Sequence, residues 1–224
     1  MIFRIKDILT DDKLCDNKIN VLTLENKDYF DLFIRRLNGQ IQNENEWFEL
    51  LDDNYKKLNF TKNVDVINSP VDLNLTGTQI KKKLYQNLAE DSEMNNLLED
   101  FQNAYTAFLN TLNRLNVITE HEITYSTDFS LDGILKDFDV TIKQPEGRLI
   151  ERLIDYITTI HDLLSKKVFF MINFDSFLER EDYQYLAKFS DYNKVYLCLV
   201  ESHQFFCMEV LNELIIDQDF CKIY

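Results

Sequence analysis

Apolar residues recur along this chain with two different periods, and the period changes mark its elements. In the first seventy residues short runs dominate. NKINVLTLEN carries a strand, Val21 to Leu24, between Asn- and Lys-rich ends. KDYFDLFIRRLNGQI then puts Tyr29, Phe30, Phe33, Ile34 and Leu37 on one helical face, with Gly39 placed to end the helix. EWFELLDD and KKLNF read as a hairpin joined near Asp53–Asn54, and NVDVINSP as a further short strand stopped by Pro70.

The period lengthens after residue 70. NLTGTQIKKKLYQNLAED turns helical after its Thr and Gly, with Ile80, Leu84 and Leu88 sharing a face. MNNLLEDFQNAYTAFLNTLNRLNVI continues for about seven turns at 3.6 residues per turn. Leu97, Leu98, Phe101, Tyr105, Phe108, Leu109, Leu112 and Leu115 form its stripe, which predicts a long antiparallel helix pair. EITYSTDF alternates and reads as a strand or an extended link. SLDGILKDF predicts a short helix starting at Ser130. PEGRLIERLIDYITTIHDLLSKK predicts an amphipathic helix opening at Pro145, with Leu149, Leu153, Ile157, Ile160 and Leu164 facing inward.

The last third is dominated by continuous apolar runs. Val168 to Ile172 and KVYLCLVES are strands without polar alternation, separated by a helix in LEREDYQYLAKFSDY. HQFFCMEVLNELIID reads as a short helix and QDFCKIY as a terminal strand. Strand, helix, strand with fully apolar strands indicates a parallel sheet covered on both faces, so the fold class is α/β.

Composition narrows this picture. Hydrophobic residues make up 45% of 224, including 17 Phe and 11 Tyr, which is enough for a substantial core. Four Gly and two Pro argue for long helices over a turn-rich β fold. The N-terminal MIFRIKDILTDDK lacks a signal peptide's sustained apolar stretch, and no window approaches a membrane span; the expected location is the cytoplasm. Cys15, Cys198, Cys207 and Cys221 have no CxxC spacing, and Cys198 reads as a small core residue. The formal net charge is -15. That balance repels phosphate, so DNA binding would need local segregation of Lys and Arg, or a divalent cation.

Few residues offer catalytic chemistry. The turn after the first predicted strand reads ENKDYFD, with no Gly-rich loop and acids at Glu25 and Asp28, which disfavours a bound nucleotide. Of the three histidines, His121, His161 and His203, His161 lies near the polar side of its helix and reads as solvated or locally bonded. His203 and Glu201 follow a predicted strand, where α/β active sites lie, but no GxSxG accompanies them. Glu120, Glu122, Asp128 and Asp132, with Thr124 and Ser126, offer oxygens for Ca²⁺ or form a solvated acidic linker. Lys81, Lys82 and Lys83, then Lys136, Lys143, Arg148 and Arg152, form either a solvated face or a phosphate track.

The order of these pieces carries a resemblance. KINVLTLENKDYFDLFIRRLNGQ, VDVINSPVDLNLTGTQIKKKLYQNL and LLSKKVFFMINFDSFLEREDYQYL with KVYLCLVES resemble the small accessory protein of type II-A CRISPR systems, the Csn2 family. The resemblance implies a degenerate P-loop-like α/β head with a mostly parallel sheet, over residues 1–70 and 145–224. It also implies an extended α-helical leg over 71–144. It implies a homotetrameric ring around double-stranded DNA ends, acting in spacer acquisition and antiviral defence with the CRISPR integrase and effector nuclease. Neither enzymatic activity nor a membrane is implied. Lys81, Lys82, Lys83, Lys136, Lys143, Arg148 and Arg152 then become candidate phosphate contacts. They would position the duplex without reading bases, screened from the acidic exterior at moderate salt. Family members bind Ca²⁺ just before the short helix; the equivalent EITYSTDFSLD retains Glu122 and Asp128, followed by Asp132. Thr124 and Ser126 replace carboxylates there, and fewer charged ligands weaken affinity. The alternative is a protein-interaction subunit of a CRISPR adaptation complex with weak or lost DNA binding.

Overall fold

The structure, a computed structural model, describes every residue except 7, 9, 72, 205–208 and 224, and all side chains of the remainder but that of Thr10. Its contacts divide the chain into two compact units, residues 1–74 with 144–224, and residues 75–143.

The first unit begins with strands β1 (Ile2–Ile5), β2 (Thr10–Lys13) and β3 (Ile19–Leu24), then helix α1 (Lys27–Ile41). Strands β4 (Phe48–Leu51) and β5 (Lys57–Leu58), the short helix α2 (Phe60–Asn63) and strand β6 (Val64–Ile67) follow. After the second unit come α6 (Leu149–Leu164), β7 (Val168–Ile172), α7 (Arg180–Asn193), β8 (Tyr196–Glu201), β9 (Leu211–Ile216) and β10 (Lys222–Ile223). The second unit supplies α3 (Thr78–Met94), α4 (Leu98–Ile118) and α5 (Leu131–Asp137).

Two sheets organise the first unit. The larger has the order β10-β9-β3-β8-β7-β6, with β9, β3, β8, β7 and β6 parallel and only β10 antiparallel. Every residue of β3 and β7 is buried, as a strand covered on both faces requires. The smaller antiparallel sheet, β2-β1-β4-β5, packs its apolar side with α1 against the larger one. Aromatic rings fill that layer: Phe3 meets Phe170 at 5.0 Å and Phe33 meets Phe48 at 4.9 Å. Polar side chains staple the layer. Gln40 bonds both the N–H and the C=O of Phe48, and buried Asn20 bonds Cys15 and the carbonyl of Leu197.

In the second unit, Tyr85 of α3 and Leu131 and Leu135 of α5 form a small core, flanked by Leu84, Leu88, Leu98, Phe101, Phe129 and Val140. Ser130 caps α5 by accepting from the Gly133 N–H at 3.1 Å. Residues 121–129 run extended along α4 without strand pairing. Tyr105 donates to the Ser126 and Asp128 carbonyls, and Asn113 and Asn116 bond Tyr125 and the Ile123 N–H.

Several expectations need correction. Helix α1 runs through Gly39 to Ile41: the glycine is there because a Cβ would collide with Asn45, and the left-handed residue past the helix end is Asn43 (φ 62). Helix α6 opens at Leu149 and not at Pro145, since Gly147 (φ 101) breaks the path into it. Leu211–Ile216, read as helix, is strand β9: pairing with β3 over six residues overrides a weak local pattern. The remainder of that expected helix, with Cys207, falls partly on 205–208, outside the described residues. Helix α4 starts at Leu98, after a left-handed Asn96 (φ 57), and none of its residues is buried. The predicted stripe is half-buried at Leu98, Phe101, Tyr105, Leu109 and Leu112, the first two against the small core, and exposed at Leu97, Phe108 and Leu115.

Candidate nucleic-acid interface

Three lysines enter through helix α3. Consecutive residues on a helix are about 100° apart, so Lys81, Lys82 and Lys83 splay around it. Lys82 is exposed, while Lys81 and Lys83 are half-buried along their stems. Helix α5 packs beside α3 and adds Lys136. Together they border an open groove of about 670 Å³, lined by Thr78, Lys81, Lys82, Tyr85, Gln86, Ala89, Asp132, Lys136 and Asp139. Its floor is the Tyr85 ring and Ala89; its rim is charged.

The rim is paired in part. Lys81 Nζ donates to Asp139 Oδ1 at 2.7 Å, and Lys136 donates to Asp132 one turn earlier. These hydrogen bonds raise the pKa of both lysines, Asp139 acting on Lys81 and Asp132 on Lys136. Lys82 makes no ion pair among the described residues. Lys143 is exposed in the segment leaving this unit.

The two arginines, four apart and so candidates for one helical face, belong to the other unit and do not form that face. Arg148 is the N-cap residue of α6, and its guanidinium lies 3.8 Å from Asp182 of α7. Arg152 is half-buried, with its Nε enclosed and lacking a hydrogen-bond partner.

The three carboxylates expected to hold calcium are not gathered. Glu122 and Asp128 are exposed on the extended segment along α4, six residues and so up to about 20 Å apart along the chain. Asp132 sits on α5, neutralised by Lys136. No group of three or more His, Cys, Asp or Glu placed to hold a metal occurs among the described residues. A calcium ion takes roughly six to eight oxygens, several of them carboxylate, and this donor set does not fit it.

A second polar cluster closes the carboxyl end of the parallel sheet. Glu201 ends β8 almost fully buried, and its Oε1 accepts from the N–H groups of Phe174 and Asp175 at 2.7 and 3.0 Å. Burial pushes its pKa up to about 7. Asp175 in turn accepts from Tyr183 at 2.8 Å and contacts His203 Nε2 at 3.0 Å. Where α1 follows β3, Asn26 caps the Tyr29 N–H and Gln204 donates to Glu25. The turn that holds a phosphate in nucleotide-binding folds is thus furnished with an acid and a side-chain cap. The sequence pointed to Glu201 and His203 by their place after an apolar strand. Asp175 and Tyr183 escaped it because only the fold brings the turn after β7 beside the turn after β8.

These features define an α/β protein built on a parallel sheet, carrying a helical unit with a lysine-bordered groove. The family model described as CRISPR-associated protein (Cas_Csn2) matches residues 40–220, most of the chain. The chain belongs to the Csn2 family of CRISPR-associated proteins. Among solved structures it is similar to the crystal structure of Stu0660 of Streptococcus thermophilus, with TM-score 0.63 and 14% identity, covering 97% of this chain and 75% of that one. No curated protein matches the sequence. No described helix is long and apolar enough to cross a membrane.

Proposed function

We propose that this protein is a non-enzymatic, double-stranded-DNA-end binding component of CRISPR spacer acquisition, assembled as a homotetrameric ring with its lysine grooves turned toward the duplex. Family membership over residues 40–220 carries this reading, and the groove bordered by Lys81, Lys82 and Lys136 supplies the chemistry. Ammonium groups at the rim suit phosphate oxygens, and contacts of that kind position a duplex without reading its sequence. Lys83, Lys143, Arg148 and Arg152 are secondary contacts at most; the last two already have partners or are partly enclosed.

Assembly has its own support. Leu98, Phe101, Tyr105, Phe108, Leu112 and Leu115 follow alternating three- and four-residue spacings along α4, the seam of a helix that packs against another helix. Phe108 remains 58% exposed and Leu115 47%. The test compares linear and closed circular duplex across a salt series, with Lys81→Glu, Lys82→Glu and Lys83→Glu combined as the control. Salt-sensitive binding to linear duplex, lost in the triple variant, is expected. Equal binding to both topologies, or binding that survives the triple variant, refutes the reading.

The exposed part of that seam, Phe108 and Leu115, favours a second reading, in which α4 docks a protein of the adaptation complex and DNA affinity is weak or lost. Replacing Phe108 and Leu112 by Gln separates the two. A fall in the mass of the protein alone assigns the seam to self-assembly; unchanged mass assigns it to another protein.

A further inference from the structure

Two carboxylates sit in the groove that the lysines border. Asp132 lies in the first turn of α5, where the helix dipole favours an acid, and its partner Lys136 is one turn on. Asp139 lies past the C-terminal end of the same helix, in a left-handed conformation (φ 45), where the dipole disfavours an acid. Its carboxylate nevertheless turns to Lys81 on α3. A carboxylate offers an ammonium group two charged oxygens in much the way a backbone phosphate does. Lys82, between the two pairs, keeps no such partner among the described residues.

We propose that Asp139 and Asp132 are built-in competitors for the groove lysines, occupying the ammonium groups that DNA phosphates would contact and holding this face at low, adjustable affinity. The inference rests on the DNA reading above. Both pairs are solvent-exposed, and exposed pairs are worth at most about a five-fold equilibrium factor each, so a polyanion can displace them. Displacement also changes the salt response. When Lys81 moves from Asp139 to a phosphate, the counterion released from DNA is offset by one recruited to the freed carboxylate. A paired lysine therefore adds little to the log–log salt slope, whereas a free one adds about 0.9.

The test uses the full chain and labelled linear duplex, with anisotropy read across a salt series. Asp132→Asn with Asp139→Asn is compared with the unaltered protein. Asn keeps the left-handed preference at 139, so the fold is retained, and a thermal melt checks it. The double variant is expected to bind up to about 25-fold more tightly at low salt, with a slope steeper by about 2. Glu90→Gln with Asp91→Asn makes the same change in net charge near the far end of α3, and is expected to stay within about two-fold once the series reaches about 0.15 M salt, where the screening length is about 8 Å and the Asp132/Asp139 gain persists. Equal affinity and slope in the Asp132/Asp139 variant overturn the masking while leaving the DNA reading intact. An equal gain in the Glu90/Asp91 control overturns it as well, reducing the effect to net charge. Absence of DNA binding by every form takes down both readings.

Discussion

Glu201 gives the sharpest quantitative handle on the first unit. Its carboxylate is 1% exposed, stapled to the turn after β7 by two backbone amides. Burial raises its pKa from near 4.5 to about 7; the amides of Asp175 and Phe174 pull the other way, Asp175 adds repulsion, and His203 lowers it. Between those two pH values the folded protein holds a proton that the unfolded chain has lost. Stability therefore falls as pH rises from about 4.5 to about 7 and levels off above. At about 1.36 kcal/mol per pH unit the loss reaches about 3 kcal/mol. Glu201→Gln has the same shape, can accept from both amides through Oε1, and never ionises. Urea unfolding followed by the fluorescence of Trp47, the single tryptophan and a member of this unit, measures the difference between the two proteins from pH 4.5 to 8.5. The variant should gain on the parent by about 3 kcal/mol across that range. Its new amide N–H₂ can add a constant offset, so the pH dependence of the difference is the quantity to read. A difference that stays flat with pH would refute the claim that a buried, late-titrating carboxylate closes the sheet end.

Three further outcomes follow from the same geometry. Lys166 is buried, donates to the carbonyls of Thr61 and Val64, and has its pKa lowered by that burial; Lys166→Met keeps the stem but orphans two acceptors, and should cost about 2 kcal/mol in chemical denaturation. Since the carboxylates of Glu122, Asp128 and Asp132 are not gathered, removing Ca²⁺ with a chelator should leave the solution mass, measured by light scattering, unchanged. Lys82→Glu reverses an exposed groove cation just beyond the first turn of α3, and should weaken DNA binding in the anisotropy assay while leaving the melting temperature within about 2 °C in calorimetry.

The legible part of the sequence was the part whose signal is local. Val168–Ile172 and the KVYLCLVES run are apolar throughout, and a strand buried on both faces is almost the only element that tolerates that; both lie at the centre of the parallel sheet. Ser130 announced α5 because a cap needs only its own next three residues. What depends on distant partners stayed hidden. Strand β9 owes its state to β3, almost two hundred residues earlier in the chain, and its own residues carry no strand period strong enough to say so. The lysines of α3 were visible as a run, yet the acid opposite Lys81 comes from residue 139, and no spacing rule links them. The Asp132–Lys136 pair did have a signal, the four-residue interval between opposite charges on a helix. The acids of the calcium expectation show the same dependence: Glu122 and Asp128 are near in sequence, while the extended segment and the turn into α5 hold them and Asp132 apart.

Helix α3 carries its charges against its own dipole. Lys81, Lys82 and Lys83 lie near its N-terminus and Glu90, Asp91 and Glu93 near its C-terminus; it has no acid in its first turn and no base in its last. Neither group belongs to the small core with α5, and at the ends of the helix these signs run against the dipole; among the described residues Lys81 alone gains a local partner, Asp139. A local rule broken without a packing return marks a place where something other than stability sets the residues. Here the arrangement also separates the signs along the axis, at about 1.5 Å per residue, by roughly 10–18 Å. That exceeds the screening length at moderate salt, so the distal acids do not blunt the lysines. Among the described residues, Asp132 and Asp139, held in contact by α5 and the turn that follows it, are the acids in contact with the groove lysines. The net acidity of the chain and a phosphate-binding groove are then compatible: the repulsion is distant and screened, and the competition is confined to two side chains.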